Sequence, residues 1–434
     1  MNNNTLKLKQ LPSGWIKLPL VNCCSLIKDG THGTHKRLNT GIPLLSAKNI
    51  TESGGIFWDE SDSFISEIEY KTIHRKYELE DDDLLLTVVG TLGRRALVKK
   101  SDRFTIQRSV AVLRCDKNYL ISRYLYHLSA SHYFQRQLVI RSNSTAQAGL
   151  YLGELEKIEI AIPKITEQQK IAGILDAIDK AIALTDTHIT KLKKAKAGLL
   201  HDLLTRGIDE HGELRDYTRN PELFKRSPLG IIPKDWDISS VGFEFDIVSG
   251  FTLGEHRRPR NKKRKYLRVA NVKREKIILD DIAELEANED EFISRKLQEN
   301  DLLIVEGHAD PNEIGRCALV SDGAVNLTFQ NHLFRLRSKV INPKFALFWL
   351  NSVWVRSYWK CLCGTSSGLN TINQTMLKAL LVLVPNKEEQ IGIVERIEIY
   401  TQRIIKKETY LNKLNLLKKG LMSDLLTGRV RVKI

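Results

Sequence analysis

A chain of 434 residues, 42% apolar and 27% charged, is long enough for two or three domains with their own cores, and its composition excludes disorder. With 67 Lys plus Arg against 52 Asp plus Glu, the formal charge of +15 favours a polyanionic partner, nucleic acid first. No run of about 18 apolar residues occurs, and the opening MNNNTLKLKQ lacks an apolar signal core, so a soluble cytoplasmic protein without membrane contact is expected.

In chain order, a first globular domain is expected over 1–163, opening with a Pro-x-x-Trp turn from Pro12 to Trp15. The loop Lys28 to Arg37, KDGTHGTHKR, combines glycines with His32, Thr34, His35, Lys36 and Arg37, a mixture of small residues, donors and acceptors suited to close approach to a groove. Only two imidazoles lie there, without a third ligand, so metal binding is not expected. The acidic run Glu80 to Asp83 precedes the apolar run Leu84-Leu85-Leu86 and reads as a turn entering a strand, not as a nuclease metal site. Gly93-Arg94-Arg95-Ala96-Leu97-Val98 follows, then Gln107-Arg108-Ser109, whose Gln and Arg are side chains that pair bidentately with base edges. The polar loop Arg141 to Gln147, with Asn143, Ser144 and Thr145, offers phosphate or base-edge donors, or a plain turn.

At Pro163 the pattern changes. Ile171, Leu175, Ile178, Ile182, Thr185, Ile189, Leu192, Lys196, Leu199 and Leu203 alternate steps of four and three, the period of a coiled-coil seam, which predicts one helix over 164–207. Thr166 and Gln169 are placed for a capping box, and Gly207 for a stop.

A linker over 208–229 leads into a second copy. The segments Pro163 to Thr205 and Pro385 to Thr427 align without a gap at an offset of 222, carrying Glu167-Gln168 with Glu389-Gln390 and ending HDLLTRG and SDLLTGR. The same offset pairs Gly93 to Val98 with Gly315 to Val320, and Thr105 and Gln107 match Thr328 and Gln330 one residue further on. A second globular domain is therefore expected over 230–385 and a second helix over 386–434, its seam running from Ile393 through Ile397, Tyr400, Ile404, Lys407, Leu411, Leu414, Lys418 and Leu421 to Leu425, with Gly428 as its stop.

In the second domain, Arg257, Arg258, Arg260, Lys262, Lys263, Arg264 and Lys265 make seven cations in nine residues, a solvated loop or strand edge able to clamp phosphates. His308, Gln330, Asn331 and His332, and Thr365, Ser366 and Asn370 in the loop GTSSGLN, are the further candidate DNA contacts. Lys191, Lys193, Lys194, Lys196, Lys418 and Lys419 on the helices read as a solvated face, a partner surface or phosphate contacts, and Trp349, Trp354 and Trp359 mainly as core. The six cysteines, spaced unlike a zinc knuckle, read as reduced and mostly buried thiols. No phosphate loop, zinc-protease motif, nucleophile elbow or methyltransferase-like Asn-Pro-Pro-Phe occurs, so no catalytic centre is expected.

The duplicated domain-helix order, the openings Leu11-Pro-Ser-Gly-Trp15 and Gly230-Ile-Ile-Pro-Lys-Asp-Trp236, the segment IPKITEQQKI from Ile162 to Ile171 and the two Leu-Leu-Thr helix ends together resemble the specificity subunit of type I restriction-modification enzymes along essentially the whole chain. The resemblance implies an α+β protein: two similar mixed α/β target-recognition domains, each followed by a long helix, the helices packed as an antiparallel coiled coil. It implies that each domain reads one half of a split, asymmetric site in double-stranded DNA. It implies two methyltransferase subunits using S-adenosylmethionine and restriction subunits using ATP and magnesium, with no cofactor held by this chain. A stand-alone DNA-binding regulator and a coiled-coil scaffold are the alternatives.

Overall fold

The computed structural model describes residues 11–99, 101–143, 149–363 and 370–433, Asn370 by its backbone alone. The chain forms two compact units, Met1–Thr187 with Glu408–Ile434 and His188–Lys407. Each unit thus contains one globular head, part of the first long helix and part of the second.

In the first unit, strands Cys24–Asp29, Val110–Cys115, Leu84–Thr87 and Arg95–Leu97 lie in that order in an antiparallel sheet. A second sheet sets Ile42–Leu45 between Phe64–Ile65 and Thr105–Ile106, the latter pairing parallel. Because side chains alternate along a strand, the central strands serve two cores at once. Leu84, Leu86, Ala111 and Leu113 face a core with Trp15, Tyr124 and Phe134. Leu85, Val110 and Val112 face another with Phe104 and Ile106. That double burial is why these strands read as unbroken apolar runs.

The second unit repeats the plan. Phe245–Ser249, Leu333–Ser338, Leu302–Val305 and Cys317–Leu319 form the antiparallel sheet, and Lys263–Leu267 lies between Ala283–Glu286 and a parallel Thr328–Phe329. Leu302, Ile304, Phe334 and Leu336 face one core, and Leu303, Val305 and Leu333 the other. The turn before each central strand is duplicated as well: Asp82 and Asn300 are left-handed at φ 67° and 68°, and the next residue is a buried aspartate.

The long helices are α1, Ile165–Thr205, and α2, Lys387–Leu425. Within the first unit, Ile171, Ala172 and Leu175 from the start of α1 share a core with Leu425 and Leu426 at the end of α2. Within the second, Leu203 and Leu204 from the end of α1 meet Ile393, Val394 and Ile397 from the start of α2. Start meets end in both, so the pairing is antiparallel. Every predicted seam position is buried or half-buried except Lys407, which is exposed. The polar seam position Thr185 donates to its own helix at Ala181, and Lys418 pairs with Asp179 at 2.5 Å.

The expected capping box at Thr166 does not form: α1 begins at Ile165, and the amides of Glu167 and Gln168 bond the Lys164 carbonyl. In α2 the cap is Asn386, whose side chain accepts from the Glu389 amide at 2.8 Å. Gly207 and Gly428 do close the helices in the left-handed region, at φ 63° and 69°. The linker is partly ordered as strand, since Phe224–Ser227 pairs with Gly230–Pro233. Tryptophans 349 and 359 are buried, while Trp354 is half-buried and stacks on Trp349 and His201.

Candidate nucleic-acid interface

Each head carries the same loop scaffold. The strand Cys24–Asp29 ends at Gly30, and Phe245–Ser249 ends at Gly250. A Cβ on Gly30 would sit 2.1 Å from the Ile106 carbonyl oxygen, and one on Gly250 would sit 2.3 Å from the Phe329 and Gln330 carbonyl oxygens. Only glycine lets the chain pass so close to the parallel strand. The next residue then bridges to the matched glutamine, Thr31 to Gln107 and Phe251 to Gln330. The loops 31–37 and 252–260, different in composition, therefore leave from one conserved geometry beside Gln107 and Gln330.

In the first head, His32, Thr34, Lys36 and Arg37 are exposed and His35 is half-buried. His32 bonds Asp29 at 2.6 Å and His35 bonds Thr31 at 2.5 Å. The Lys36 amide donates to Glu69, and Arg37 to Ser63 at 3.0 Å. Lys28 stands over the Tyr77 ring at 4.6 Å. Side chains here are thus pre-positioned by neighbours while the loop surface stays open. Gln107 is half-buried and Arg108 exposed beside it, whereas Ser109 turns inward to accept from the Ala47 amide at 3.0 Å.

In the second head the basic run divides into two roles. Arg257 grips Glu291 through both oxygens, at 2.9 and 2.6 Å, and lies over Phe251 at 4.8 Å; the Glu291 carboxyl is pulled down to about 2 by that guanidinium. Arg264 pairs with Glu289 and covers Phe292 at 4.3 Å. These two arginines brace the loop. Arg258, Arg260, Lys262, Lys263 and Lys265 are exposed, Arg258 with Glu255 at 3.1 Å. Glu286 accepts from the amides of Arg260 and Lys262, both at 2.7 Å, and so shapes the loop while leaving those side chains to solvent.

Gln330 is buried, Asn331 half-buried, and His332 exposed with its ring bonded to Glu306 at 2.7 Å. His308 accepts from the Asp310 amide at 3.0 Å, and its backbone pairs with Asn370. Arg94 reaches the Ile50 carbonyl at 3.4 Å. Arg141 pairs with Glu154 at 3.2 Å, and Asn143 is exposed, bridged to Gly149. Ser144, Thr145, Thr365 and Ser366 lie outside the described residues, as does the side chain of Asn370. Among the helix lysines, Lys191, Lys193, Lys194 and Lys419 are exposed, while Lys196 pairs with Glu275 at 2.8 Å. Among the described residues no group of three His, Cys, Asp or Glu side chains could hold a metal ion, and no helix is long and apolar enough to cross a membrane.

Sequence reasoning left the repeated Glu-Gln pair without a role. Gln168 bonds the carbonyls of Pro163 and Tyr119 and the Ile121 amide; Gln390 bonds the Pro385 carbonyl and the Asn342 amide. Glu167 takes a two-pronged bond from Arg431, and Glu389 one from Arg215. Both glutamates are buried, so the motif locks a head onto its helix and holds the tail or linker that follows the partner helix. Its recurrence at one offset was the signal available beforehand.

Residues 25–194 match the family described as type I restriction modification DNA specificity domain. The putative type I restriction enzyme MjaX specificity subunit of Methanocaldococcus jannaschii is 22% identical over 100% of this chain and 97% of its own length. The EcoKI specificity subunit of Escherichia coli is 24% identical over 90% of this chain and 82% of its own. Among solved structures, the type I restriction-modification S subunit of M. genitalium superposes with a TM-score of 0.55 at 15% identity, over 100% of this chain and 98% of that one. A chain from a study of complex assembly in the type I R-M system gives 0.59 at 15% identity, over 97% and 100%. Residues 25–194 thus match the type I restriction modification DNA specificity domain, and the chain as a whole is similar in sequence to type I specificity subunits and shares the fold of solved ones.

Proposed function

We propose that this chain reads a bipartite, asymmetric site in double-stranded DNA, one half through each head, with the antiparallel helices setting the interval between the halves. The observation that carries the reading is the shared loop scaffold: Gly30 and Gly250 lie against the same parallel strand and launch loops of different chemistry beside Gln107 and Gln330. One geometry with two sets of side chains suits two half-sites of different sequence.

On this reading the chain contributes recognition and no bond-making chemistry. Two methyltransferase subunits dock on it and bring S-adenosylmethionine for adenine N6 methylation; restriction subunits bring ATP and magnesium, and the assembly acts in the cytoplasm. The repeated helix ends and Glu-Gln locks support docking of two identical partners, because an internal duplication offers each an equivalent surface.

The test is methylome sequencing of a host expressing the chain with its neighbouring methyltransferase, against the same host lacking only this chain. A split N6-methyladenine motif that depends on the chain is expected. No motif despite an active methyltransferase would transfer the weight to a stand-alone regulator or a scaffold.

A further inference from the structure

Midway along the helices, Lys191 on α1 and Arg403, Lys406 and Lys407 on α2 line a groove of about 580 Å³ floored by Leu192 and Tyr400. All four cations are exposed, and among the described residues no carboxylate lines the groove. From His188 to Lys196 and from Tyr400 to Lys407 the sequence contains no acidic residue at all. Lys191, Arg403 and Lys406, gathered along one groove, repel one another, and an anion laid over them relieves that repulsion.

The repeat identifies which anion. Shifting by 222 residues places Lys413, Ala181, Leu184 and Thr185 of the first unit at the positions of Lys191, Arg403, Lys406 and Lys407. Three of the four charges are gone. Two identical protein subunits bound in equivalent ways would meet equivalent surfaces, and this surface exists once. The partner it fits is therefore present once, is polyanionic and is long enough to lie along exposed helix: duplex DNA.

We propose that this groove binds the phosphate backbone of the DNA that the chain reads, adding affinity without sequence information. The proposal rests on the specificity reading above, and it concerns a contact that carries no base recognition. Three arginine or lysine contacts to phosphate release counterions in proportion, each contributing roughly 0.9 to the slope of log affinity against log salt concentration.

The experiment uses the full chain co-expressed with its methyltransferase and measures fluorescence anisotropy of a cognate and an unrelated duplex over a salt series. For Lys191→Gln/Arg403→Gln/Lys406→Gln the slope is expected to fall by about 2 to 3, with both duplexes weakened and their affinity ratio unchanged. Glutamine is a good helix former at exposed positions, and Lys191→Gln alone, expected to lower the slope by roughly 0.9, separates a lost contact from misfolding. An unchanged slope overturns the proposal. An unchanged slope with loss of the methyltransferase from the complex assigns the groove to an acidic protein surface instead. If the unaltered complex discriminates between no duplexes, the specificity reading fails, while the slope still reports on the groove.

Discussion

Arg337 holds Asp301 through both carboxylate oxygens, Nε to Oδ1 at 2.7 Å and Nη2 to Oδ2 at 2.8 Å, and the aspartate is 1% exposed. Arg114 holds Asp83 in the same way in the other head, at 2.9 and 2.8 Å. Removing one partner strands a desolvated charge, which costs more than the pair contributes. Arg337→Met is expected to destabilise the second unit by about 3 kcal/mol, read by urea unfolding. Arg337→Met with Asp301→Asn is expected to recover part of that loss. Equal stability for the parent and Arg337→Met would show that the carboxylate finds other compensation.

This pair also marks what could be read before the fold was known. The acidic runs ahead of Leu84 and Leu302 were legible as turns entering strands, because aspartate and asparagine tolerate the left-handed position that Asp82 and Asn300 occupy. Their arginine partners were not, since Arg114 and Arg337 lie 31 and 36 residues away on a neighbouring strand. Helical repeats showed clearly because the seam is set locally, every three or four residues. The candidate DNA contacts were legible only as composition: Arg257 and Arg258 are adjacent and alike in sequence, yet one is locked on Glu291 and Phe251 while the other is exposed. Only tertiary placement separates them.

Gly30→Ala tests the loop scaffold. A Cβ 2.1 Å from a backbone oxygen has nowhere to go, so the 31–37 loop must shift away from Gln107. On the proposed function, recognition of one half-site is expected to fall at least tenfold while the half-site read through Gly250 keeps its preference, scored with duplexes altered in one half at a time. Equal loss at both halves would show that the heads do not read independently.

Glu389 accepts from Arg215 at 2.5 and 3.2 Å, from the Trp236 indole at 2.9 Å and from the Ile208 amide at 2.7 Å. Glu389→Ala leaves the Trp236 indole and the Ile208 amide buried without this acceptor and removes one of the two carboxylates that hold Arg215, Asp235 at 2.9 Å being the other. A loss of about 3 to 5 kcal/mol is expected in thermal or urea unfolding. Glu167, whose side chain among the described residues takes Arg431 in two bonds, should tolerate alanine better, because Arg431 is partly exposed and can rehydrate. The opposite order would contradict the roles assigned to the two locks.

Two imidazoles make the first unit sensitive to acid. Burial lowers the His74 pKa below its ordinary 6.5, with Nε2 bonded to Thr105 at 2.9 Å. Burial likewise lowers that of His127, against the opposing hydrogen bond to Asp176. A histidine whose folded pKa is depressed takes up its proton more readily when unfolded, so its neutral form favours the fold above 6.5 and the unfolded state gains as pH falls below that value. The melting temperature of the first unit is expected to drop between about pH 6.5 and 5, and His127→Gln to flatten that dependence. A profile unchanged by His127→Gln would assign the acid sensitivity elsewhere.

The helices supply the last test. Because the seam repeats at 3.5 residues, removing seven residues from a long helix restores the same faces to the partner while shortening it by about 10 Å, roughly three base pairs of duplex. Deletion of 182–188 takes out Ile182 and Thr185, which are half-buried and buried seam positions, and leaves both heads intact. If the helices set the interval, methylome sequencing should return the same two half-sites with a changed spacer, or no methylation because the shortened chain no longer assembles with its methyltransferase. Circular dichroism and proteolysis distinguish the second outcome from unfolding of the heads. A fully active complex with an unaltered spacer would mean that the interval is fixed by the partners, and that the helices serve to hold heads and subunits together.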